Sequence, residues 1–362
     1  MNRMSAGTVV IILCSSVKGR IIPVRLFSAN EELREFSVPA DAEDGDIYCL
    51  LVDDSGGFTL LSRYKKKHII NRHIRHLEKL QVKISYPPEV IKEVDAIRSR
   101  NAADDPGLQD FTNLPFVTID NNGSKDLDQA VYVERQETGY TIYYAIADAS
   151  YYVKPGSALF SESIRRGASY YLPSFSVPML PRELSEDIIS LTAEADRRAL
   201  VFIMRIDGTG RSAGTEIKRG RISSRAKLSY SGVQKFYDHP EESGLDGHVY
   251  SDSLRLLQEA GMLLASSSAE RGVIDYERYE LMVEVSADGE SLTYRDEPRN
   301  NAARWNEQVS LLCNMEGARI AADGNGTSGN HAQNVFRVHE PPDEAALSRL
   351  NEIIMSISSV HS

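Results

Sequence analysis

Asp120, Asp126 and Asp128 place three carboxylates within nine residues of a 362-residue chain. They lie in the stretch Phe116-Val-Thr-Ile-Asp120-Asn-Asn-Gly-Ser-Lys-Asp126-Leu-Asp128-Gln129-Ala-Val-Tyr-Val133. Asp126 and Asp128 are two apart, so in an extended segment their side chains leave on the same face. A reversal at Asn122-Gly123, residue types that tolerate turn conformations, brings Asp120 back towards them. Clustered carboxylates repel one another, and a hard divalent cation such as Mg²⁺ or Mn²⁺ relieves the repulsion. The same residues also read as a solvated hairpin loop, because Asp, Asn and Gly dominate turns. A calcium loop of the EF-hand kind fails on spacing: its glycine belongs at the sixth position, and Gly123 is the fourth counted from Asp120.

The elements that must hold these acids can be read on either side. Phe116 to Ile119 and Ala130 to Val133 are short strand-like runs that anchor the loop at both ends. Tyr140 to Ala147 pairs with the second run across a turn at Glu137-Thr-Gly139. Asp148 ends that strand, where it either joins the acidic site or caps the next element. Ser157 opens a helix over Ala158 to Arg166. From Gly167 to Pro181 come three prolines and three aromatics, Tyr170, Tyr171 and Phe175, the composition of a stiff loop. Exposed aromatics there would stack bases of a single strand at roughly 1–3 kcal/mol each; core packing is the alternative. Leu200 to Ile206 and Glu216 to Ile222 read as antiparallel strands. Leu254 to Ala269, Trp305 to Ala321 and Ala345 to Ile357 read as amphipathic helices, the second carrying Glu307.

Residues 5–64 read as a small all-β module, with strand-like runs at Thr8 to Leu13, Arg20 to Arg25, Asp46 to Val52 and Phe58 to Leu61 punctuated by glycines. The pattern suits a five-stranded OB-type barrel, which commonly binds single strands, and equally any small barrel. Lys65 to Leu80 is a basic run bearing His68, His73 and His76. It is a candidate phosphate contact or a solvated helix face; a metal site there lacks cysteine or carboxylate partners at ligand spacing. Pro87 to Ile97 reads as a helix with proline at its start. The expected organisation is an OB-like module over 1–66, a basic and helical linker over 67–110, and a mixed α/β catalytic domain over 111–362, making the chain α+β overall.

Composition bounds the function. With 41% hydrophobic and 26% charged residues the chain has the make-up of a soluble protein with room for two or three domains. No apolar run approaches the ~20 residues of a membrane helix. Cys14, Cys49 and Cys313 are odd in number and widely spaced, which argues for a reducing, cytoplasmic setting and against a zinc site. A net charge of −11 counts against a protein that coats nucleic acid nonspecifically. It leaves room for an enzyme that admits one strand into a local channel and uses metal ions as its strongest positive charges.

Several further stretches stand in a set order along the chain. They are Thr118-Ile-Asp120 with Lys125-Asp126-Leu-Asp128; Ala145-Ile-Ala-Asp148-Ala-Ser150-Tyr-Tyr-Val153-Lys-Pro-Gly-Ser157; Arg166-Gly167; Tyr171-Leu-Pro173; Pro178-Met-Leu-Pro181; and Glu183-Leu-Ser185. Further on come Arg271-Gly-Val-Ile-Asp-Tyr276, Asn306-Glu307 and Arg337-Val-His339. Together they resemble the RNB catalytic domain of the ribonuclease II/R family, and the N-terminal module resembles that family's cold-shock (OB) domain. The resemblance implies a Mg²⁺-dependent enzyme, with Mn²⁺ as a substitute, that degrades single-stranded RNA processively from the 3′ end to nucleoside 5′-monophosphates. It implies that Asp120, Asp126 and Asp128 hold the metals and orient the attacking water, and that Tyr171 and Tyr276 stack on or clamp the RNA. It implies neither a membrane nor a protein partner. Gln129 stands where the family has a fourth aspartate; its amide still offers an oxygen ligand but neutralises no charge. The family's Ser-Pro-Ile-Arg-Arg-Tyr segment, which supplies a catalytic arginine, is not found in the 362 residues. The expectation is therefore a chain that ends inside its catalytic domain and has little activity by itself; vigorous activity would instead show that Arg165, Arg166 or Arg337 completes the site. A catalytically weak RNA-binding relative of the same fold is the alternative, and an unrelated metal-stabilised domain a remote third.

Overall fold

Val117, Thr118, Ile119, Val131 and Val133 are β-branched, stiff at χ1 and suited to a pleated surface, and all five are buried. The strands they form are the middle of the fold. A computed structural model of the chain describes residues 8–17, 20–25, 39–52, 58–100, 102–271, 273, 279–323 and 343–360. The first strands are β1 (Thr8–Val17), β2 (Arg20–Arg25), β3 (Ile47–Val52) and β4 (Phe58–Tyr64), followed by α1 (Ile69–Lys79) and α2 (Pro88–Arg98). Next are β5 (Gln109–Asp110), β6 (Val117–Asp120), β7 (Gln129–Gln136), β8 (Gly139–Ala147), α3 (Ala149–Tyr152) and α4 (Ala158–Arg166). Then follow β9 (Tyr170–Tyr171), β10 (Ser176–Val177), β11 (Asp196–Ile206), β12 (Ser212–Ser223), β13 (Ala226–Ser229), α5 (Tyr230–Asp238) and α6 (Pro240–Ser243). The order ends with α7 (Ser251–Glu270), β14 (Tyr279–Val285), β15 (Leu292–Pro298), α8 (Asn301–Asp323) and α9 (Glu344–Val360).

The chain divides into two compact units, residues 1–310 and 311–362. The first is built on a mixed seven-stranded sheet in the order β13-β6-β7-β8-β11-β12-β5. Its inner pairs are antiparallel, and the outer strands β13 and β5 pair in parallel with β6 and β12. The β7–β8 hairpin closes between Gln136 and Gly139 as expected. Gly139 is required there: its φ is +121° and a Cβ would lie 2.1 Å from the Ile206 carbonyl oxygen. Phe116, Ala130, Ala145, Ala199, Val201 and Ile222 form an apolar cluster within this sheet. Val90 and Val94 of α2 bury against Leu159 of α4 and Leu184. The α4 N-terminus is satisfied twice, by Ser157 Oγ accepting from the Phe160 amide and by the Glu93 carboxylate accepting from the amides of Ala158 and Leu159. In the second unit, α9 leaves Leu347, Leu350 and Ile353 exposed.

The strands expected at Leu200 to Ile206 and Glu216 to Ile222 lie inside β11 and β12, paired antiparallel. The four described N-terminal strands form one antiparallel sheet in the order β2-β1-β3-β4. Among the described residues there is no fifth strand to close it into the OB barrel read from the sequence. Ile70 and Ile74 of α1 pack with Ile47 of this sheet, and Phe175 packs, partly buried, against this cluster.

Helix α7 lies against β7, where Ser253 Oγ accepts from the buried Val133 amide at 2.8 Å. Its other side meets α8 at Gly261, where a Cβ would fall 2.3 Å from Trp305 Cβ. We expect Gly261→Ala to destabilise the protein, although alanine is the better helix former by about 1 kcal/mol. Overpacking of about 1–3 kcal/mol outweighs that gain. Chemical denaturation checks it; an unchanged or raised midpoint would mean that the two helices part without cost.

Candidate active site

The acidic loop between β6 and β7 is fixed at many points. Leu127 is buried at its centre, its amide donating to Ser190 Oγ at 3.0 Å and its carbonyl accepting from the Leu191 amide at 2.7 Å. Ser190 Oγ in turn donates to the Lys125 carbonyl at 2.7 Å. Lys227 of β13 donates through Nζ to the carbonyls of Asn122, at 2.8 Å, and of Ser124. The Ser124 amide closes the turn on the Asn121 carbonyl at 3.1 Å, the reversal expected at Asn122-Gly123. At the far end the Asp128 carbonyl accepts from the Ala147 amide at 2.9 Å. An exposed acidic loop without these ties would sample many conformations; this one is anchored to β8, to β13 and to the segment at Ser190-Leu191.

Each acid then has a distinct setting. Asp120 Oδ1 accepts from the Asn121 amide at 2.6 Å and from Ser124 Oγ at 3.0 Å. Asp126 accepts from the Tyr171 hydroxyl, and that hydrogen bond, followed by burial and the Asp126 charge, pushes the Tyr171 phenol up to about 12. Tyr171 is nonetheless 69% exposed, so its ring stays available while its hydroxyl is tied to the acids. Desolvation pushes the Asp128 carboxyl above its ordinary value, and the charges of Asp120 and Asp126 add to the push. Asp128 as a residue is exposed, so this is a carboxylate in a recess open to water rather than a sealed one. Gln129 Oε1 accepts from the Tyr144 hydroxyl, whose oxygen also lies 2.5 Å from Ser310 Oγ.

Beside the loop is a cavity of about 350 Å³. It is lined by Asp120 of β6 with the adjoining Asn121, Gln129 of β7, Tyr230 of α5, Arg299 just after β15, and Asn306 and Glu307 of α8. Asn306 Nδ2 donates to the Tyr230 hydroxyl at 3.4 Å. Burial raises the Tyr230 phenol, the Asp120 charge raises it further and Arg299 pulls it down, so both charged groups act on the same phenol. Glu307 is one of the residues singled out in the sequence. Tyr230, Arg299, Ser190 and Lys227 are not, because each reaches the site through the fold from a segment with no motif of its own.

Among the described residues no three carboxylate, histidine or cysteine groups converge as a ready-made metal cage. The donor set is nevertheless all oxygen, and its charges act against one another at Asp128, which is the chemistry that suits a hard divalent cation. His68, His73 and His76 do not assemble a site: His68 Nδ1 accepts from the Ile70 amide at 3.2 Å, and His73 Nδ1 lies 2.6 Å from Ser174 Oγ. Arg165 and Arg166 both pair with Glu162, and Arg166 is buried with its guanidinium over the Tyr86 ring; they brace α4. Asp148 stands at the N-cap position of α3 without a side-chain cap bond and does not join the acids, its carboxylate being buried against Arg198 at 2.8 Å. Tyr276 and Arg337 lie outside the described residues.

A family model described as the RNB domain matches residues 108–361. Ribonuclease R of Vibrio cholerae is 32% identical over 276 residues, which make up 76% of this chain and 33% of that protein. The chain spans about a third of the length of the curated relatives it matches. Among solved structures, the apo form of Mycoplasma genitalium RNase R superposes with a TM-score of 0.67 at 21% identity, covering 88% of this chain and 52% of that one. RNase R of the same organism in complex with ribose-methylated single-stranded RNA gives 0.64 over the same shares, also at 21% identity. At that identity the structural likeness speaks to the fold alone.

Proposed function

This chain belongs to the RNB-domain family of the ribonuclease II/R enzymes, and on that premise we propose that it is a hydrolytic exoribonuclease. In this reading it takes single-stranded RNA by the 3′ end, degrades it processively and releases nucleoside 5′-monophosphates. The observation that carries the reading is the acidic loop: three aspartates, pinned by Ser190, Leu191 and Lys227, beside a cavity lined by Asp120 and Gln129. The carboxylates of Asp120, Asp126 and Asp128 and the amide oxygen of Gln129 would hold Mg²⁺, for which Mn²⁺ can substitute. When bound, the metal would supply Lewis-acid chemistry, activating water and stabilising charge that develops on the scissile phosphate. The protein's own part is to keep the acids rigid, to seat the terminal nucleotides and to hold a base on the Tyr171 ring. Three free cysteines, Cys14, Cys49 and Cys313, support a reducing, cytoplasmic setting, and no described helix is long and apolar enough to cross a membrane.

One observation favours the second reading, an RNA-binding relative with weak catalysis: the Gln129 amide oxygen already accepts from Tyr144, so that position of the donor set is neutral and engaged. The two readings separate in one assay. The full-length protein, given uniformly labelled single-stranded RNA and Mg²⁺, is expected to release mononucleotides without populating intermediate lengths, and EDTA is expected to stop it. Tight binding with no shortening would select the second reading. Early release of the label from an RNA marked only at its 5′ end would overturn both direction and mechanism.

Tyr171→Ala is expected to weaken RNA binding by about 5- to 150-fold, the equivalent of roughly 1–3 kcal/mol of stacking, and to lengthen the end product. Tyr171→Phe keeps the ring and frees Asp126, so binding should hold. A loss confined to the single-turnover rate, with binding and product length untouched, would show that Tyr171 serves Asp126 rather than RNA.

A further inference from the structure

Among the described residues lining the cavity, Arg299 alone carries a positive charge. It opens the two-residue segment between β15 and α8, and Asn300 beside it caps α8 by accepting from the Ala303 amide at 2.9 Å. Its Nη1 lies 2.8 Å from Glu307 Oε2, with the arginine side chain 28% and the glutamate 41% exposed. A pair this exposed is weak in water. The guanidinium also has five N–H donors in a planar fork, more than one carboxylate oxygen occupies. Asp120 and Gln129 line the same cavity, in a protein whose net charge of −11 repels a polyanion. A phosphodiester drawn towards the acids therefore needs a cation on the cavity wall, and Arg299 is the protein's own.

We propose that Arg299 is a phosphate-contact residue, its guanidinium shared between Glu307 and a backbone phosphate of the RNA 3′ segment seated in the cavity. The inference rests on the exoribonuclease reading and adds to it the group that grips the backbone. Glu307 keeps the fork aimed while no RNA is present and yields part of it when the phosphate arrives.

The test uses the full-length protein and a fluorescent single-stranded RNA, with affinity measured across a salt series. Arg299→Ala is expected to weaken binding about 10- to 100-fold and to make the slope of log affinity against log salt shallower by about 0.7, the change for one phosphate contact on a single strand. Arg299→Lys should keep the slope and lose part of the affinity, because the charge remains and the fork does not. Glu307→Gln should tighten binding. RNAs with one neutral methylphosphonate placed near the 3′ end should reveal a position that weakens the wild type and leaves Arg299→Ala unaffected. Thermal melts identify a variant that has merely unfolded, and Arg299→Lys carries the test if Arg299→Ala does not fold. An unchanged salt slope in a folded Arg299→Ala, with no distinguishing methylphosphonate position, overturns the proposal. A wild type that binds RNA with the expected slope change but never shortens it keeps Arg299 as a phosphate contact and removes the exoribonuclease reading instead.

Discussion

Asp128→Asn is expected to slow RNA hydrolysis on the order of 10³-fold or more, while single-strand affinity stays within about threefold. Asparagine matches the shape of aspartate and keeps one oxygen acceptor, so the loop retains its ties through Leu127 and the Asp128 carbonyl. The substitution removes one negative charge from the set that would neutralise the metals. In the proposed reading RNA is held by ring stacking and backbone contacts elsewhere, so binding should survive. Single-turnover product release reads the first effect and fluorescence anisotropy the second. The variant should also melt higher than the wild type in the presence of EDTA, since it removes one of three mutually repelling charges. A variant that shortens RNA at the normal rate would sink the assignment of the acidic loop as the active site.

The second large effect concerns stability. Arg198 is 5% exposed and Asp148 fully buried. The arginine donates through Nε to Asp148 at 2.8 Å and through Nη1 to Asp105 at 2.7 Å, with its guanidinium 3.8 Å from the Tyr151 ring centroid. Arg198→Met keeps most of the volume but leaves Asp148 buried, with Ser150 and a more distant Arg219 as its remaining polar neighbours. We expect a loss of about 3–5 kcal/mol, the usual consequence of stranding one partner of a buried ion pair. Combining it with Asp148→Leu should recover most of the loss, because a matched apolar pair often replaces such an ion pair at little cost. Denaturant melts of the two variants decide it. An Arg198→Met protein as stable as the wild type would mean that water or Arg219 already satisfies Asp148.

The contrast between Asp148 and Asp128 shows how far the sequence can be read. Local patterns place the acidic loop, its flanking strands, the Ser157-capped α4 and the long helices, because strand alternation, turn residues and caps act over a few positions. Asp148 is ambiguous in the sequence for the same reason: its partner Arg198 lies fifty residues away, and nothing around Asp148 marks which distant cation will reach it. Phe175 passes for a stacking ring until its packing against Ile47, Ile70 and Ile74 is seen. The link from Tyr171 to Asp126 spans forty-five residues, and Arg299 enters the cavity from a segment with no recognisable motif. Sequence thus supplies the acids and the scaffold class, whereas the opposing wall of the cavity depends on contacts that only the folded chain creates.

Helix α7 gives that wall an unusual dimensional property. Ser253 ties it to β7, the strand that begins with Gln129, and Gly261 and Ser268 tie it to α8, which carries Asn306 and Glu307. The gap between the two sides is therefore gauged by α7 as a rod together with the Tyr144 hydroxyl, which reaches from Gln129 to Ser310 of α8 directly. Where α8 meets Gly261 there is no side chain to compress, so the rod has no slack at its tightest point. Widening the gap requires α7 to tilt as a whole, which disturbs its seat on the sheet at the same moment. The width between the two faces is thus set by packed elements of the sheet and the helices.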